Sequence, residues 1–446
     1  MIRRTFLQST ATASLLPVAA QIPARGANDQ INVACIGYGI MGQLDVQTAA
    51  SIPGVKIIAV SDVYEGRLTR AKEYHGAGVF TSRDYRQILS RPDVDAVIVA
   101  TPDHWHATIA TEAMRAGKDV YCQKPMVRVV EEGAGIIRAQ KETGRILQVG
   151  SQLASSILYA KAREIVKSGA IGKVHMIESY WDRNSAQGAW QYSIPPDATP
   201  ANIDWDRFLG SAPKHEFDPV RIFRWRNYQD YGSGVAGDLF VHLFTGIHYV
   251  MESTGPNRIM SSGGLHYWKD GRDVPDLLMG FFEYPETKAH PAFNVSLRVN
   301  FLAGGGDTSG FRFIGTDGVL NVTVRGTITM TKKPRSNAPG QTASTFSKAT
   351  AEEFLRGYRK KYPAADTLSP DAMQSNLEEQ MWAFPSGYTE QYAHHLNFFD
   401  AVRKRRPVIE DAVFGLRAAG PALLSNVSYF EKKIVHWDPD HMTVKS

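Results

Sequence analysis

Three side chains in this 446-residue sequence have the types and the spacing of a proton-transfer site. Lys124 follows an apolar stretch in the sequence Gln-Lys-Pro, and Asp238 and His242 are four residues apart. Two side chains at that separation share one face of a helix. Histidine is the best single residue for taking a hydroxyl proton near neutral pH, aspartate can orient the substrate, and lysine can stabilise a developing alkoxide. The plainer alternative for the aspartate and the histidine is a surface pair or a helix cap.

Glycines near the N-terminal end predict what this chemistry is coupled to. Residues 31–36 form a mostly apolar, partly β-branched stretch, and Gly37, Gly39 and Gly42 follow with the spacing G-x-G-x-x-G. Between a strand and a helix, such glycines permit a tight turn, the close approach of a pyrophosphate and close helix packing. The helix N-terminus presents free N–H groups to the phosphates. The sequence therefore predicts a dinucleotide site formed by Gly37, Tyr38, Gly39, Ile40, Met41 and Gly42.

Asp62 indicates which dinucleotide is bound. It ends a second apolar stretch, residues 55–61, and follows Gly42 by 20 residues. A carboxylate there binds ribose hydroxyl groups and repels a 2′-phosphate. The sequence thus predicts NAD rather than NADP, although Arg67 and Arg70 are close enough to weaken that preference.

Polar residues also follow three further predicted strands, at the edge where a parallel sheet binds its ligands. The run 94–100 leads into Thr101-Pro-Asp-His-Trp-His106 with a helix predicted over 107–116, the run 119–122 into Gln123-Lys-Pro125, and the run 145–149 into Gly150-Ser-Gln152. His104 and His106 could instead be a metal pair, with His242 and Asp238 completing a zinc shell. The dinucleotide fingerprint argues against zinc, because it places this segment beside the cofactor, and no metal is expected.

The composition is that of an ordinary globular protein, with 43% hydrophobic and 21% charged residues. The formal charge of +5 is small for this length and the basic residues are scattered, so nucleic-acid binding is not expected. Cys35 and Cys122 are the two cysteines, and both lie in apolar stretches, which indicates no disulfide framework.

The first 28 residues are typical of an export signal rather than of the fold. Arg3 and Arg4 precede a Phe-Leu pair, and a region of apolar and small residues, 11–20, follows with a possible cleavage site at Val18-Ala-Ala. The region is too short and too interrupted to span a membrane, and no other stretch is long and apolar enough. We expect export by the twin-arginine route to the periplasm or beyond, the alternative being a disordered basic tail.

In sum, the order GYGIMG, Asp62, TPDHWHA and QKP resembles the Gfo/Idh/MocA family, named for glucose–fructose oxidoreductase and inositol dehydrogenase. The resemblance extends over essentially everything after the signal. IDWDRFLGSAP from Ile203, RWRNYQDYGSGVAGDLFVH from Arg224 and NFFDAVRKRRPVIEDAVFGLRAAGPALL from Asn397 resemble exported members of that family.

The resemblance implies an α/β fold with two domains. Residues 29–152 form a Rossmann NAD-binding domain, and residues 153–446 form an α/β domain whose large, open, mostly antiparallel sheet provides the substrate cleft and often the oligomer interface. A homo-oligomer, dimer or tetramer, is implied. Within residues 184–219 a long polar, Pro-rich segment predicts a functional or interface loop.

The resemblance also implies roles for residues. Lys124, Asp238 and His242 match the family's catalytic Lys and Asp-x-x-x-His. Cofactor contacts beyond the glycine turn and Asp62 are expected from Thr101, Pro102, His104, His106, Gln123, Lys124 and Gln152. The family usually has Glu before the lysine, and Gln123 departs from it, which could lower the pKa of Lys124 or loosen a cofactor contact.

Aromatic and arginine side chains in the second half suit a polyhydroxylated substrate, because aromatic faces and bidentate donors bind sugars. The alternative is that they are core aromatics and solvated arginines. The candidates are Trp181, Arg183, Tyr192, Arg224, Arg226 and Tyr231, together with His242.

Two activities follow from the resemblance. The first is NAD-dependent oxidation of a secondary hydroxyl group of a sugar or polyol, with a tightly bound cofactor because free NAD is not supplied outside the cytoplasm. The second is redox-neutral hydrolysis of a glycoside through a transient keto-sugar, by oxidation, elimination, water addition and re-reduction. The same residues would serve both activities, so the sequence leaves the choice open, and a non-catalytic NAD-binding module is a third hypothesis.

Overall fold

The computed structural model describes residues 30–332, 339–363 and 378–445. The strands are β1 (Ile31–Ile36), β2 (Val55–Ser61), β3 (Phe80–Ser82), β4 (Ala96–Val99), β5 (Asp119–Cys122), β6 (Leu147–Val149), β7 (Val174–Asp182), β8 (Arg258–Gly264), β9 (Leu277–Tyr284), β10 (Phe293–Asn300), β11 (Thr308–Gly315), β12 (Val319–Thr323), β13 (Thr327–Lys332), β14 (Glu378–Ala383), β15 (Val435–Asp438) and β16 (Thr443–Val444). The helices are α1 (Ile40–Ala50), α2 (Glu65–His75), α3 (Tyr85–Leu89), α4 (Asp103–Arg115), α5 (Gly133–Thr143), α6 (Ile157–Lys167), α7 (Trp205–Leu209), α8 (Pro219–Phe223), α9 (Val241–Met251), α10 (Lys348–Lys361), α11 (Glu390–Lys404) and α12 (Ala412–Glu431). The predicted export signal lies outside the described residues.

The first domain is a parallel sheet with the strand order β3-β2-β1-β4-β5-β6. Its central strand β4 is buried along its whole length, as expected for a β-branched strand with helices on both faces. The order reverses between β1 and β4, and the crevice outside the carboxyl ends of the strands at such a point binds ligands. The Rossmann prediction is confirmed.

The second domain is built on a ten-stranded sheet with the order β14-β13-β12-β11-β7-β10-β9-β8-β15-β16. Its neighbouring strands are antiparallel except for β7 and β10, which run parallel. Burial alternates along β9 and β10, so one face is covered and the other is open. Helix α9 packs on the covered face, where Phe244 meets the ring of Phe282 edge-on at 4.8 Å. The predicted large, mostly antiparallel sheet is confirmed.

Helix α11 returns from the C-terminal part of the chain to the first domain. Phe398 and Phe399 are buried in the same apolar cluster as Val33 and Val46 of the glycine-turn unit. The side chain of Gln391 donates to Asp45 on α1 at 2.7 Å. The core of the NAD-binding unit is thus completed by residues far from it in sequence.

Helix α4 begins at Asp103, four residues before the predicted start at residue 107. Pro102 is the N-cap residue with an extended ψ of 154°, and Asp103 adds a carboxylate to the first turn, where it complements the helix dipole. His104 and His106 are therefore helical residues rather than loop residues.

No helix within the described ranges is long and apolar enough to cross a membrane.

Candidate active site

A cavity of about 590 Å³ lies between the two domains. The glycine turn and the ends of β4 and β5 form one wall, and residues at the end of β7 and the start of α9 form the other. This is the place that the strand order of the first domain indicates for a ligand.

The glycine turn is shaped to hold a phosphate group. Gly37 has a φ of +90°, and a Cβ atom there would lie 2.6 Å from the carbonyl oxygen of Ala100. A Cβ atom on Gly42 would lie 2.0 Å from the carbonyl oxygen of Gly37, so the helix can approach the turn only without a side chain. Gly39 caps α1 without any side-chain cap bond, which leaves the first N–H groups of the helix for a ligand. These residues fit a bound dinucleotide.

Asp62 is fixed beside this turn. Its carboxylate accepts hydrogen bonds from the main-chain N–H groups of Tyr38 (2.7 Å) and Tyr64 (3.0 Å) and pairs with Arg67 at 3.3 Å. It is only 6% exposed but lines the cavity. A carboxylate has about four acceptor sites, and Asp62 already accepts four hydrogen bonds. The two from Arg67 are the longest, at 3.3 and 3.5 Å, so ribose hydroxyl groups would bind by replacing Arg67.

Lys124, which follows β5 on the first wall, meets Asp238 and Arg226 of the second domain in a charged cluster. The Lys124 ammonium donates to the side-chain oxygen of Asp238 at 2.8 Å and to its main-chain oxygen at 2.7 Å, and Arg226 donates to the same carboxylate at 3.2 Å. Burial alone would raise the pKa of Asp238, but Lys124 and Arg226 hold it far below its usual value. Burial lowers the pKa of Lys124, and Asp238 opposes that change. The aspartate is therefore ionised, and it fixes both cations.

Asp238 lies in a single π-helical turn, Ala236–Phe240, that leads directly into α9. The sequence predicts a regular helix here, with Asp238 and His242 on one face. In a π turn the hydrogen bonds join residues i and i+5 instead of i and i+4, so Asp238 and His242 are not placed as in a regular α-helix. Single π turns often occur at functional sites. Here it presents both the side chain and the carbonyl group of Asp238 to Lys124.

His242 faces the same cavity and has a free ring nitrogen. Its Nδ1 atom is buried without a hydrogen-bond partner in the part of the chain that the structure describes. Its ring lies against that of Trp181, with 5.2 Å between the centroids. Burial lowers the pKa of His242 well below its usual value, and Lys124 lowers it further, although Asp238 opposes the shift. At neutral pH the imidazole is therefore neutral and able to accept a proton.

Most of the predicted cofactor residues line this one cavity. They are Gly37, Gly39, Ile40, Met41, Asp62, Thr101, Pro102, His106, Gln123, Lys124 and Gln152. Tyr38, Gly42 and His104 do not line it. The hydroxyl group of Tyr38 bonds to His75 at 3.0 Å, and Nε2 of His104 bonds to the carbonyl group of Phe208 at 2.9 Å.

The predicted substrate residues divide in the same way. Trp181, Arg183, Tyr192, Arg226 and His242 line the cavity. Arg224 instead donates to the carbonyl group of Tyr192 (2.9 Å) and to Gln191 (2.6 Å), so it supports the wall from behind. Tyr231 is fully buried in a separate apolar cluster. These two side chains are used in packing, which is the alternative that the sequence left open.

The two histidines considered as a metal pair bind main-chain carbonyl groups. The ring of His106 lies 2.7 Å from the carbonyl oxygen of Pro125 and 2.8 Å from that of Thr101. Across residues 30–332, 339–363 and 378–445, no group of three or more His, Cys, Asp or Glu side chains is arranged to hold a metal ion. The histidines position the strand-end segment instead.

Sequence reasoning missed several wall residues because distant parts of the chain supply them. Arg325 comes from the turn between β12 and β13, Phe208 and Phe223 from the long segment after β7, and Glu390 from the start of α11. No local pattern marks them, since each reaches the cavity through the packing of the two domains.

Comparison with known proteins identifies both domains. Residues 31–151 match the model of an oxidoreductase family (GFO_IDH_MocA) described as an NAD-binding Rossmann fold, and residues 160–261 match that family's C-terminal alpha/beta domain. Together the matches span half of the chain. Residues 31–151 are thus an NAD-binding domain.

Curated relatives match over the same region. An uncharacterized oxidoreductase of Bacillus subtilis is 32% identical over 43% of this chain and 53% of its own length. An inositol 2-dehydrogenase of Rubrobacter xylanophilus is 31% identical over 45% of this chain and 54% of its own. The chain therefore spans about half the length of the curated relatives it matches.

A solved structure of levoglucosan dehydrogenase, in complex with NADH and levoglucosan, has the same fold. It superposes with a TM-score of 0.64 at 18% identity, over 91% of this chain and 99% of that one. At this identity the similarity concerns the fold alone.

Proposed function

Because the chain belongs to the Gfo/Idh/MocA oxidoreductase family, we propose that it oxidises a secondary hydroxyl group of a sugar or polyol with NAD. The observation that carries this proposal is the meeting of Lys124, Asp238 and His242 in the cavity that the glycine turn and Asp62 also line. The inositol 2-dehydrogenase among the relatives supports a polyol-like substrate.

The residues divide the work of the reaction. NAD, when bound, supplies the hydride acceptor. Neutral His242 takes the hydroxyl proton, and its low pKa keeps it unprotonated until that moment. The Lys124 ammonium stabilises negative charge developing on the substrate oxygen, and the carboxylate of Asp238 holds that ammonium in place. The arrangement also excludes water, since the Lys124 and Asp238 side chains are only 10% and 12% exposed.

We propose further that the cofactor stays bound between turnovers. Residues 194–223, which we call the strap, follow β7 of the second domain and contact the first domain. Ile203 pairs with Tyr64 in an antiparallel bridge, and the Tyr64 hydroxyl donates to Asp197 at 2.5 Å. Phe208 and Phe223 of the strap line the cavity whose wall also includes Asp62. A dinucleotide beneath these side chains could leave only if the strap moved.

Hydrolysis of a glycoside is the second candidate, and the strap is the observation that favours it. An enclosed cofactor suits a cycle in which the hydride returns to the substrate at the end. His242 would remove the ring hydroxyl proton in both activities, so the residues alone do not separate them.

Two measurements separate these functions. Mass spectrometry of small molecules released from the denatured protein should find NAD. A panel of chromogenic glycosides and free sugars is then assayed without added NAD. Reduction of the bound cofactor by a free sugar supports oxidation, whereas aglycone release without net reduction supports hydrolysis. If no compound reduces the bound cofactor or releases an aglycone, although NAD is bound, both enzymatic proposals are contradicted and the non-catalytic NAD-binding module is favoured.

Export and oligomerisation are also proposals. We propose that the first 28 residues direct twin-arginine export, so that replacing Arg3 and Arg4 with lysine should leave the protein in the cytoplasmic fraction. We propose a homo-oligomer formed through the open face of the large sheet. On β9 this face exposes two large apolar side chains, Phe281 (55%) and Met279 (42%).

A further inference from the structure

Two arginines on the second-domain side of the cavity have no carboxylate partner within residues 30–332, 339–363 and 378–445. Arg183 directly follows β7; its guanidinium donates to the carbonyl group of Gly188 at 2.8 Å and lies 5.5 Å from the ring of Phe301. Arg325 is exposed and forms no hydrogen bond or ion pair with any residue that the structure describes. Both side chains line the cavity that contains His242.

The arginines of the first-domain side and of the strap differ from these two, because each is neutralised by a carboxylate. The pairs are Arg67–Asp62 (3.3 Å), Arg83–Glu65 (3.1 Å), Arg86–Glu112 (3.1 Å) and Arg207–Asp84 (3.4 Å). The unpaired positive charge is therefore concentrated on the second-domain side, away from the glycine turn that fits the pyrophosphate.

The positive charges of Arg183 and Arg325 act on His242, the proposed base. Arg325 and Arg183 both lower the pKa of His242, after burial and Lys124, which places their charges within electrostatic range of its ring. The cations Lys124, Arg183, Arg226 and Arg325 line the same cavity as His242. Four carboxylates also line the cavity: Asp62, Asp103, Asp238 and Glu390. Asp62 pairs with Arg67, and Asp238 is shared by Lys124 and Arg226, which leaves Asp103 and Glu390 against Arg183 and Arg325 and against the second cation at Asp238. An excess of positive charge remains in a partly enclosed space, where a bound anion would be favoured.

We propose that the substrate is an anionic sugar or polyol, whose carboxylate or phosphate group binds Arg183 and Arg325 while one of its hydroxyl groups faces His242. This inference rests on the proposed oxidation and names its substrate class. Guanidinium groups bind carboxylate and phosphate oxygens through paired hydrogen bonds. The rings of Trp181, Tyr192 and Trp225 line the same cavity and suit the C–H faces of a sugar.

Substrate preference gives the first test. The purified full chain with its cofactor is supplied with D-glucuronate, D-glucose 6-phosphate and D-glucose at equal ionic strength, and reduction of the bound cofactor is followed by absorbance. We expect at least one of the two anionic compounds to react with a lower KM than the neutral one, and the KM of the anionic compound to rise with salt. Comparing the carboxylate with the phosphate ester identifies which anionic group the site takes.

Arg325→Gln and Arg183→Gln test the residues. Each should raise the KM for the anionic compound by about tenfold to a hundredfold, the range of one charge-assisted interaction, with little change for the neutral sugar. Arg325→Lys should recover part of the loss. Arg163→Gln is the control, because Arg163 is an arginine of α6 that pairs with Glu252 outside both the cavity and the open sheet face.

A binding measurement keeps this inference separate from the proposed function. Quenching of the tryptophans in the cavity reports binding of each compound even if no turnover occurs. Equal or tighter binding of D-glucose, or an equal effect of Arg325→Gln on neutral and anionic compounds, would overturn the anionic substrate while leaving the oxidation in place. Selective binding of an anion without any reduction of NAD would instead overturn the oxidation and support the anion site.

Discussion

Gln123 is explained by a buried carboxylate on the neighbouring helix. Its side-chain amide donates to Asp45 of α1 at 2.7 Å, and Gln391 donates to the other oxygen of the same carboxyl group, also at 2.7 Å. Asp45 is fully buried, and burial raises its pKa to about 7. A glutamate at position 123 would place a second carboxylate against the first. The neutral amide of Gln123 instead donates a hydrogen bond to Asp45, whereas two ionised carboxylates at this distance would repel each other.

We expect Gln123→Glu to destabilise the protein, and the exchange Asp45→Asn with Gln123→Glu to restore much of the loss. Because the raised pKa of Asp45 means that its protonated form suits the fold, its contribution is present at low pH and lost as the pH rises through about 7. The loss in the single variant should therefore be larger above pH 7 than below it, and of the order of 2–4 kcal/mol.

Thermal or denaturant unfolding at several pH values measures this effect. The single variants and the double variant form a double-mutant cycle, whose coupling term isolates the contact. Additive losses, with no recovery in the exchange variant, would show that the two side chains do not interact.

His242 sets the pH dependence of the reaction. A base must be unprotonated to act, so the rate falls as the pH drops through its pKa. Because that pKa lies well below the usual 6.5, the acid limb of kcat/KM should lie below pH 6.5. Arg325→Gln removes one of the positive charges that lower this pKa, so the limb should move to higher pH.

The matched variant is His242→Gln, which should reduce kcat by roughly a hundredfold to ten-thousandfold and abolish the acid limb. A wild-type limb above pH 6.5, or a limb that persists in His242→Gln, would assign the titration to another group.

At the scale of elements, the strap is predicted to control release of the cofactor. Phe223→Ala removes a ring that lines the cavity and lies 5.3 Å beneath the guanidinium of Arg67. We expect NAD to dissociate about tenfold to a hundredfold faster, because burying a phenylalanine ring contributes about 1.5–3 kcal/mol. The dissociation rate is measured after rapid dilution of the holoprotein.

Phe217→Ala is the control for the strap. Phe217 also belongs to the strap and packs on Trp205 with 5.6 Å between ring centroids, but it does not line the cavity. Equal release rates in the two variants would show that the loosening of the strap is general, and unchanged rates in both would contradict retention by the strap.

Local sequence patterns predicted the elements that carry their own signal. The strand before Gly37, the glycine spacing and Asp62 lie within one βαβ unit, so their geometry follows from nearby residues. Lys124 and Asp238 are predicted to share one site although they are 114 residues apart in sequence, and the fold brings them to 2.8 Å. The start of α4 was placed four residues too late, because Pro102 was not recognised as a cap.

Residues that depend on contacts between distant segments could not be predicted. Tyr231 and Arg224 have the right chemistry for a sugar site. However, Tyr231 packs against the ring of Phe208, and Arg224 donates to Gln191 and does not line the cavity. Arg325 and Glu390 reach the cavity from a hairpin turn and from a helix far along the chain. Periodicity reports which face of an element is buried, not which element covers it.

For the whole molecule, the open sheet face predicts self-association. Phe281→Glu places a charge in the centre of this face, and it should shift the protein toward the monomer in light scattering. Tyr74→Glu, a similar change at an aromatic residue of α2 that is 51% exposed, should leave the assembly unchanged. An unaltered assembly in both variants would place the interface elsewhere.

The most direct test of the account is a single turnover of the protein as purified, without added NAD. Wild-type protein mixed with the best anionic sugar or polyol should form close to one equivalent of reduced nicotinamide per chain. His242→Gln protein that contains the same amount of NAD should form almost none. Equal reduction in the two proteins, or no reduction in the wild type despite bound NAD, would contradict the assignment of this cavity as the site of NAD-dependent oxidation.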